Sequence, residues 1–394
     1  MKTNKEDIIL MSDNNLETVG GEQESTKIII EGIKDNYSVG VIQPGLITNP
    51  EPNITYYNLT DSTRLKHEFK NPISFLKYIS KVKKIINSAE PSIIHTQAQV
   101  SFFIVSLLKK VNLISRDIKL IHTERGLYTK YNILFRYIFY FFMKELNTLV
   151  TTTNFNMKYW KEALNNRGLT IEYEIIENTA GKIFEEYDAT LESKSDKEFT
   201  IGFSGRYTDW KNWPLAVEIT EQLNSILGEK LKVNMAVGCL DDRSLKKTKE
   251  MFAYLSELLD KRFEGNINIT LQEMNEFYYD LDVFILTSKN NTESFGRTLV
   301  EAMSRKTAVF TTDAGGSVEV VGDSSKVLNT AEEFVVETLK LFRNNKALNV
   351  NKINNLKRVK KHYSLENNVN KHKQMYELIL EESEKNLSIR GGLW

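Results

Sequence analysis

The chain has 394 residues, 41% hydrophobic and 26% charged, values near globular averages that exclude wholesale disorder and collagen-like structure. Its 52 basic residues balance 52 acidic ones, so the sequence-wide positive field of a nucleic-acid binder is absent. The single cysteine, Cys239, excludes an internal disulfide and a cysteine-built metal centre, and at about 150 residues per domain the length predicts two large domains.

In chain order, short apolar runs alternate with segments of helical period. Strands are predicted at Ile8–Met11, Val39–Gln43, Ile54–Asn58, Ser92–His95, Lys119–His122, Leu149–Thr152 and Glu174–Ile176. Helices fall between them at Glu22–Lys34, Pro72–Asn87, Ala98–Lys110, Tyr131–Glu145 and Asn156–Leu164. The rhythm then repeats, with strands at Phe199–Phe203, Lys232–Val237, Ile267–Leu271, Val283–Thr287, Ala308–Thr311 and Lys326–Leu328. Helices at Trp213–Leu227, Arg243–Lys261, Met274–Asp280, Arg297–Ser304 and Ala331–Asn344 accompany them. Such alternation predicts α/β architecture, with two doubly wound parallel sheets and a ligand cleft between them.

The polar stretch Glu185–Glu198 reads as the linker between a first domain at 1–185 and a second at 196–363. The tail, Ser364–Glu382, is one long helical pattern with Val369, Met375, Leu378 and Ile379 as its apolar stripe. The first apolar run, Ile8–Met11, is too short for a signal peptide, and the aromatic run Tyr137–Met143 is too short to span a bilayer. A cytoplasmic protein is therefore expected. The stretch Tyr131–Met143 reads first as a buried helix and second as a patch docking on a membrane face or a lipid-linked acceptor.

Two segments carry the chemistry. In Thr292–Val321, Glu293 and Glu301 bracket a loop, Ser294–Gly296, and the first turn of a helix opening at Arg297. A helix start presents unpaired amides and the positive end of the macrodipole, which favour a phosphate. In Thr200–Pro214, Gly205 and Arg206 end a strand and Lys211 precedes a helix, so a guanidinium fork and an ammonium point are available for a diphosphate.

The segments ESFG-x4-E and GR-x4-K, with Gly315, Gly316 and Glu319 further on, resemble the retaining glycosyltransferases of family four, whose GT-B fold sets two Rossmann-like domains face to face. The resemblance implies that Arg206 and Lys211 hold the donor diphosphate, that Glu301 binds the ribose hydroxyls and that the nucleobase rests near Leu271–Met274. It also implies that Ser294, Phe295, Gly296, Arg297 and Thr298 contact sugar and phosphate, and that Glu293 and His122 act on the transferred sugar. Gly21 falls where the family has a glycine loop beside the donor. His95, Glu124 and Arg125 are the acceptor-side candidates, His95 and His122 both being expected to face the cleft from strand ends. The C-terminal helix, residues 364–394, is expected to cross back to the first domain.

The resemblance further implies a nucleotide-sugar donor, UDP by preference, and a glycan, lipid-linked or protein acceptor in bacterial surface-glycan synthesis. No metal and no resident cofactor are expected, since Arg206, Lys211 and the helix start supply the positive charge and the one Asp-x-Asp, Asp280–Leu281–Asp282, falls at a helix–strand junction. A nucleotide-sugar 2-epimerase and a non-catalytic GT-B partner subunit are the alternatives. His67, His362 and His372 sit in charged surroundings and read as surface residues.

Overall fold

The computed structural model describes residues 6–18, 20–192 and 198–391, so positions 193–197 of the expected linker lie outside the described residues. The chain forms two units, residues 1–177 with 366–394, and residues 178–365.

In the first unit the elements run β1 (Ile8–Met11), α1 (Gly21–Ile33), β2 (Val39–Gln43), β3 (Ile54–Asn58), α2 (Pro72–Ala89), β4 (Ile93–Thr96), α3 (Gln99–Lys110), β5 (Lys119–Thr123), α4 (Ile133–Met143), β6 (Thr148–Thr151), α5 (Asn154–Asn165) and β7 (Glu172–Ile175). The strands pair in parallel in the order β3-β2-β1-β4-β5-β6-β7. Side chains alternate between the faces of a strand. Ile9, Met11 and Ile94 accordingly meet α2–α5 on one face, while Ile8, Leu10 and Ile93 meet α1 on the other.

The second unit contains β8 (Phe199–Arg206), α6 (Trp213–Leu227), β9 (Leu231–Gly238), α7 (Asp242–Leu259), β10 (Phe263–Ile267), α8 (Leu271–Tyr279), β11 (Val283–Leu286), α9 (Arg297–Ser304), β12 (Ala308–Thr311), α10 (Gly316–Val321), α11 (Ala331–Arg343) and α12 (Asn345–His362). Its five strands are parallel in the order β10-β9-β8-β11-β12. The last helix, α13 (Leu365–Gly391), returns to the first unit, where Met375, Tyr376 and Ile379 join α1 in covering the second face of the sheet.

Three local expectations need correction, and two helices went unassigned. The boundary lies at Glu177, not 185, because Ala180 and Phe184 are buried in the second unit's core and Arg305 donates to the carbonyls of Ile183 and Glu186. Leu271 opens α8 instead of ending a strand, since Thr270 and Glu273 form a capping box there. Lys326–Leu328 makes only a single bridge, Val327 to Thr311. Asn345–His362 and Gly316–Val321, both unassigned from sequence, are helices α12 and α10.

Candidate active site

In both sheets the strand order reverses direction once, between β1 and β4 and between β8 and β11. Loops leaving neighbouring strands diverge at such a switch point and leave a crevice beyond the carboxyl ends. The two chemistry-bearing segments of the second unit lie there, Gly205–Lys211 after β8 and Glu293–Gly296 after β11.

Gly205 has φ +151, a conformation that side chains rarely adopt, and a Cβ there would crowd Lys211 Cε at 3.1 Å, so the strand end suits glycine beside the lysine. The Arg206 side chain is exposed, and its guanidinium has no hydrogen-bond or ion-pair partner among the described residues. Lys211 is placed differently, its Nζ lying 2.8 Å from Glu293 Oε1. Ser288 Oγ donates to the same carboxylate oxygen at 2.6 Å.

The Glu293 backbone is clamped as well. Its amide donates to Ala314 O at 2.8 Å, and its carbonyl accepts from Gly316 N at 2.9 Å. A Cβ on Gly316 would stand 2.2 Å from the Ser294 carbonyl oxygen, closer than any side chain tolerates. The two glycine-bearing loops therefore fix each other.

Gly296, in the left-handed conformation at φ 96, precedes α9 and supplies no side-chain cap, which leaves the first-turn amides of α9 without a side-chain partner there. Thr298 Oγ1, in that first turn, is buried and has no hydrogen-bond partner. Phe295 contributes only its backbone, because its ring is buried edge-on against Tyr363 at 5.5 Å. Arg297 turns back from the helix start, with Nη2 donating to Ala180 O at 2.8 Å and Nε 3.1 Å from Glu301 Oε1.

Glu301 is buried, and its second oxygen accepts from Tyr278 Oη at 2.9 Å. Burial pushes its carboxyl above the ordinary range, while Arg297 and the Tyr278 hydroxyl pull it back. Tyr278 also pairs with Ser204 Oγ at 2.9 Å. Leu271–Met274 forms the first turn of α8.

The candidates of the first unit fall into two classes. Gly21 begins α1 and is exposed. Behind it Glu22 accepts from Ser12 Oγ and Asn14 Nδ2, both at 2.7 Å, tying the helix start to the loop after β1. Arg125 is partly buried and donates to the carbonyl and side-chain oxygens of Gln97 at 2.9 and 2.8 Å.

The histidines, by contrast, are fully buried. His95 Nδ1 meets Tyr376 Oη at 2.6 Å and its Nε2 meets Thr123 Oγ1 at 2.7 Å. His122 stacks on Phe102 at 4.4 Å, with Nδ1 3.0 Å from Thr96 Oγ1 and Nε2 3.4 Å from Glu124 Oε2. Neither ring meets solvent, so the expectation that both face a cleft fails. Parallel pairing sets His122 beside Thr96 and His95 beside Ile121, which turns the two rings to opposite sheet faces. Glu124 is buried too, accepting from Tyr131 Oη at 3.0 Å. His372, read as a surface residue, is buried on α13 6.0 Å from the His95 ring.

Sequence reasoning missed Ser288, Tyr278, Gln97 and Thr298's unpaired hydroxyl. Ser288 and Gln97 each sit just past a strand's carboxyl end, and that position was the available signal. Among the described residues no cluster of histidine, cysteine and carboxylate side chains has the makeup of a metal site. No described helix is long and apolar enough to cross a membrane.

Residues 185–375 match the family model described as glycosyl transferases group 1, and residues 23–172 match the one described as glycosyl transferase 4-like. Among solved structures, the chain resembles sucrose-phosphate synthase from Thermosynechococcus elongatus at 14% identity and TM-score 0.75, covering 95% of this chain and 100% of that one. Anabaena HepE in complex with UDP-glucose is similar at 14% identity and TM-score 0.71, with 95% and 99% covered. The UDP-forming trehalose-phosphate synthase from Burkholderia vietnamiensis is similar at 7% identity and TM-score 0.72, with 96% and 99% covered. No curated protein matches the chain in sequence.

Proposed function

The chain belongs to the group 1 glycosyl transferases with two parallel-sheet α/β domains of the GT-B plan, and from that premise we propose that it is a retaining, metal-independent hexosyltransferase using a UDP-sugar. The acceptor is a glycan, a lipid-linked intermediate or a protein, and the reaction belongs to surface-glycan synthesis in a bacterial cytoplasm. The observation that carries the donor site is the convergence, at the switch point of the second sheet, of the unpartnered Arg206 guanidinium with an α9 start that lacks a side-chain cap and holds the unpaired Thr298 hydroxyl. Cations and preorganised amides are what a departing diphosphate requires. A neighbour that binds UDP-glucose supports the choice of nucleotide.

In this reading the bond between the anomeric carbon and the phosphate oxygen breaks while an acceptor oxygen bonds to that carbon from the same face. The acceptor proton passes to the leaving phosphate, and UDP departs. Arg206 and Lys211 stabilise the charge that gathers on the diphosphate. Glu293 orients the sugar and offsets positive charge developing on it, and the Glu301 carboxylate serves the ribose hydroxyls. Because His122 is fully buried with Nε2 3.4 Å from the Glu124 carboxylate, in this reading it acts as a positioning residue and not as a catalytic one.

Calorimetry on Arg206→Ala provides the test. Removing one charge-assisted contact costs about 1.5–3 kcal/mol, or roughly 10- to 150-fold in UDP affinity, with uridine binding unchanged. Equal UDP affinity in variant and wild type would place the diphosphate elsewhere.

A further inference from the structure

The aromatic helix α4 was expected to be core, yet only Phe139 and Met143 of its side chains are buried. Ile133 is 72% exposed, Leu134 67%, Tyr137 55%, Ile138 38% and Phe141 48%. Their spacing of one, four, five and eight residues is that of one continuous helical stripe. The helix is therefore apolar on both sides, and its outer side faces water. A stripe of this size on a soluble surface marks a site of interaction.

The edges of the stripe identify the occupant. Lys110 Nζ lies 4.3 Å from the Phe141 ring centre, and the Arg167 guanidinium lies 4.6 Å from that of Tyr137 and 4.0 Å from that of Tyr140. Exposed Lys130 and Lys144 flank the two ends of the helix. Glu145 lies 3.8 Å from Lys110 at this rim. Aromatic bodies with cations on their faces, around an aliphatic strip, match the layering of a bilayer surface with acyl chains below and anionic headgroups alongside. At 11 residues the helix cannot span a bilayer and lies in its plane. A second copy of the chain fits less well, since a two-fold interface would press this basic rim against itself.

We propose that the outer face of α4 docks the protein onto a membrane rich in anionic lipid, with Tyr137 and Phe141 entering the headgroup layer. The surface lies wholly in the first unit and is independent of the donor reading, so loss of one leaves the other standing.

Sedimentation of the full chain with vesicles tests the proposal. Wild type is expected to bind phosphatidylglycerol-containing vesicles, to bind pure phosphatidylcholine at least about tenfold more weakly, and to be released by about 0.5 M salt. The double variant Tyr137→Ser/Phe141→Ser should lose about tenfold or more in vesicle affinity while keeping its melting temperature and UDP affinity. Lys130→Glu/Lys144→Glu should lose the preference for anionic lipid. Failure of wild type to bind, equal binding to both lipids, or unchanged binding by the serine variant would each overturn it. So would a wild-type dimer in scattering that the serine variant dissolves, because the stripe would then be an interface between copies.

Discussion

Lys211 and Glu293 were assigned separate tasks from sequence, and the structure sets them against each other at 2.8 Å. A diphosphate approaching Lys211 competes with a carboxylate already on it. Glu293→Gln removes the competitor while leaving a side chain of the same size, so UDP affinity should rise about three- to tenfold while sugar transfer falls sharply. A calorimetric titration showing weaker UDP binding would mean that the pair holds the loop in shape instead. These motif residues were legible because their spacing around a strand end and a helix start has few other uses. Of their partners, Tyr278 was not, since it comes from another helix and only the fold brings it near Glu301, whereas Ser288, five residues before Glu293, was signalled only by its place past a strand end. His95 and His122 were misplaced for a simpler reason: strand-end position says nothing about which face a side chain takes, and register decides it.

At the scale of elements, strongly periodic segments were read within a few residues, and weakly apolar ones were lost. Helix α12 buries only Leu348, Asn355 and Val359, so its Lys- and Asn-rich sequence carries little periodic signal. In the stripe of α13, Met375 and Ile379 are buried as read, but Leu378 is 61% exposed, and Asn368, His372 and Tyr376 face inward as well. Polar residues at core positions defeat a pattern based on hydrophobicity.

That buried polar seam has a pH dependence. Burial brings His372 down from 6.5 to about 4 and, with the charges of His372, Arg125 and His122, holds His95 well below 6.5. Unfolded histidines take up protons below about 6.5 where these two do not, so the unfolded chain binds more protons and stability falls as pH drops from 6.5 toward 4. Asp13 works the other way. Burial and the Glu22 charge raise its carboxyl to about 6, against the opposing hydrogen bonds from Ser101 and Val100, so its folded form keeps a proton that the unfolded chain releases. Two histidines against one carboxyl leave a net loss on the order of 2 kcal/mol between about pH 7 and 5. Urea unfolding at both pH values should show it, and His372→Gln should remove most of it, because the remaining histidine is nearly offset by Asp13. An unaltered slope in the variant would assign the pH dependence to other groups.

At the scale of the whole chain, the division into two parallel-sheet units was legible from the repeated strand–helix rhythm. The crossing point was not, because the charged run 185–192 resembles a free linker although Phe184 and the two arginines of α9 and its end tie the preceding residues down. The first unit is discontinuous: it pauses at Glu177 and resumes at Glu366. Inside it the two breaks meet, with Asn368 Nδ2 donating to Glu177 O at 2.7 Å and Lys371 Nζ 2.5 Å from Glu177 Oε2.

The second unit is thus an insertion between two neighbouring points of the first, and this bears on the order of events at the ribosome. Domains commonly close in the order in which they are synthesised. Here α13, which covers one face of the first sheet through Met375, Tyr376 and Ile379, emerges only after every residue of the second unit. The later-made unit should close first, while the earlier-made one waits with that sheet face covered by α1 but not by α13. Nascent chains arrested with residue 365 clear of the exit tunnel should resist protease across 198–365 and be cut readily within 1–177. Full protection of both regions at that length would show that α1 alone shields the sheet, and that the last helix to appear is a clasp added to a finished fold.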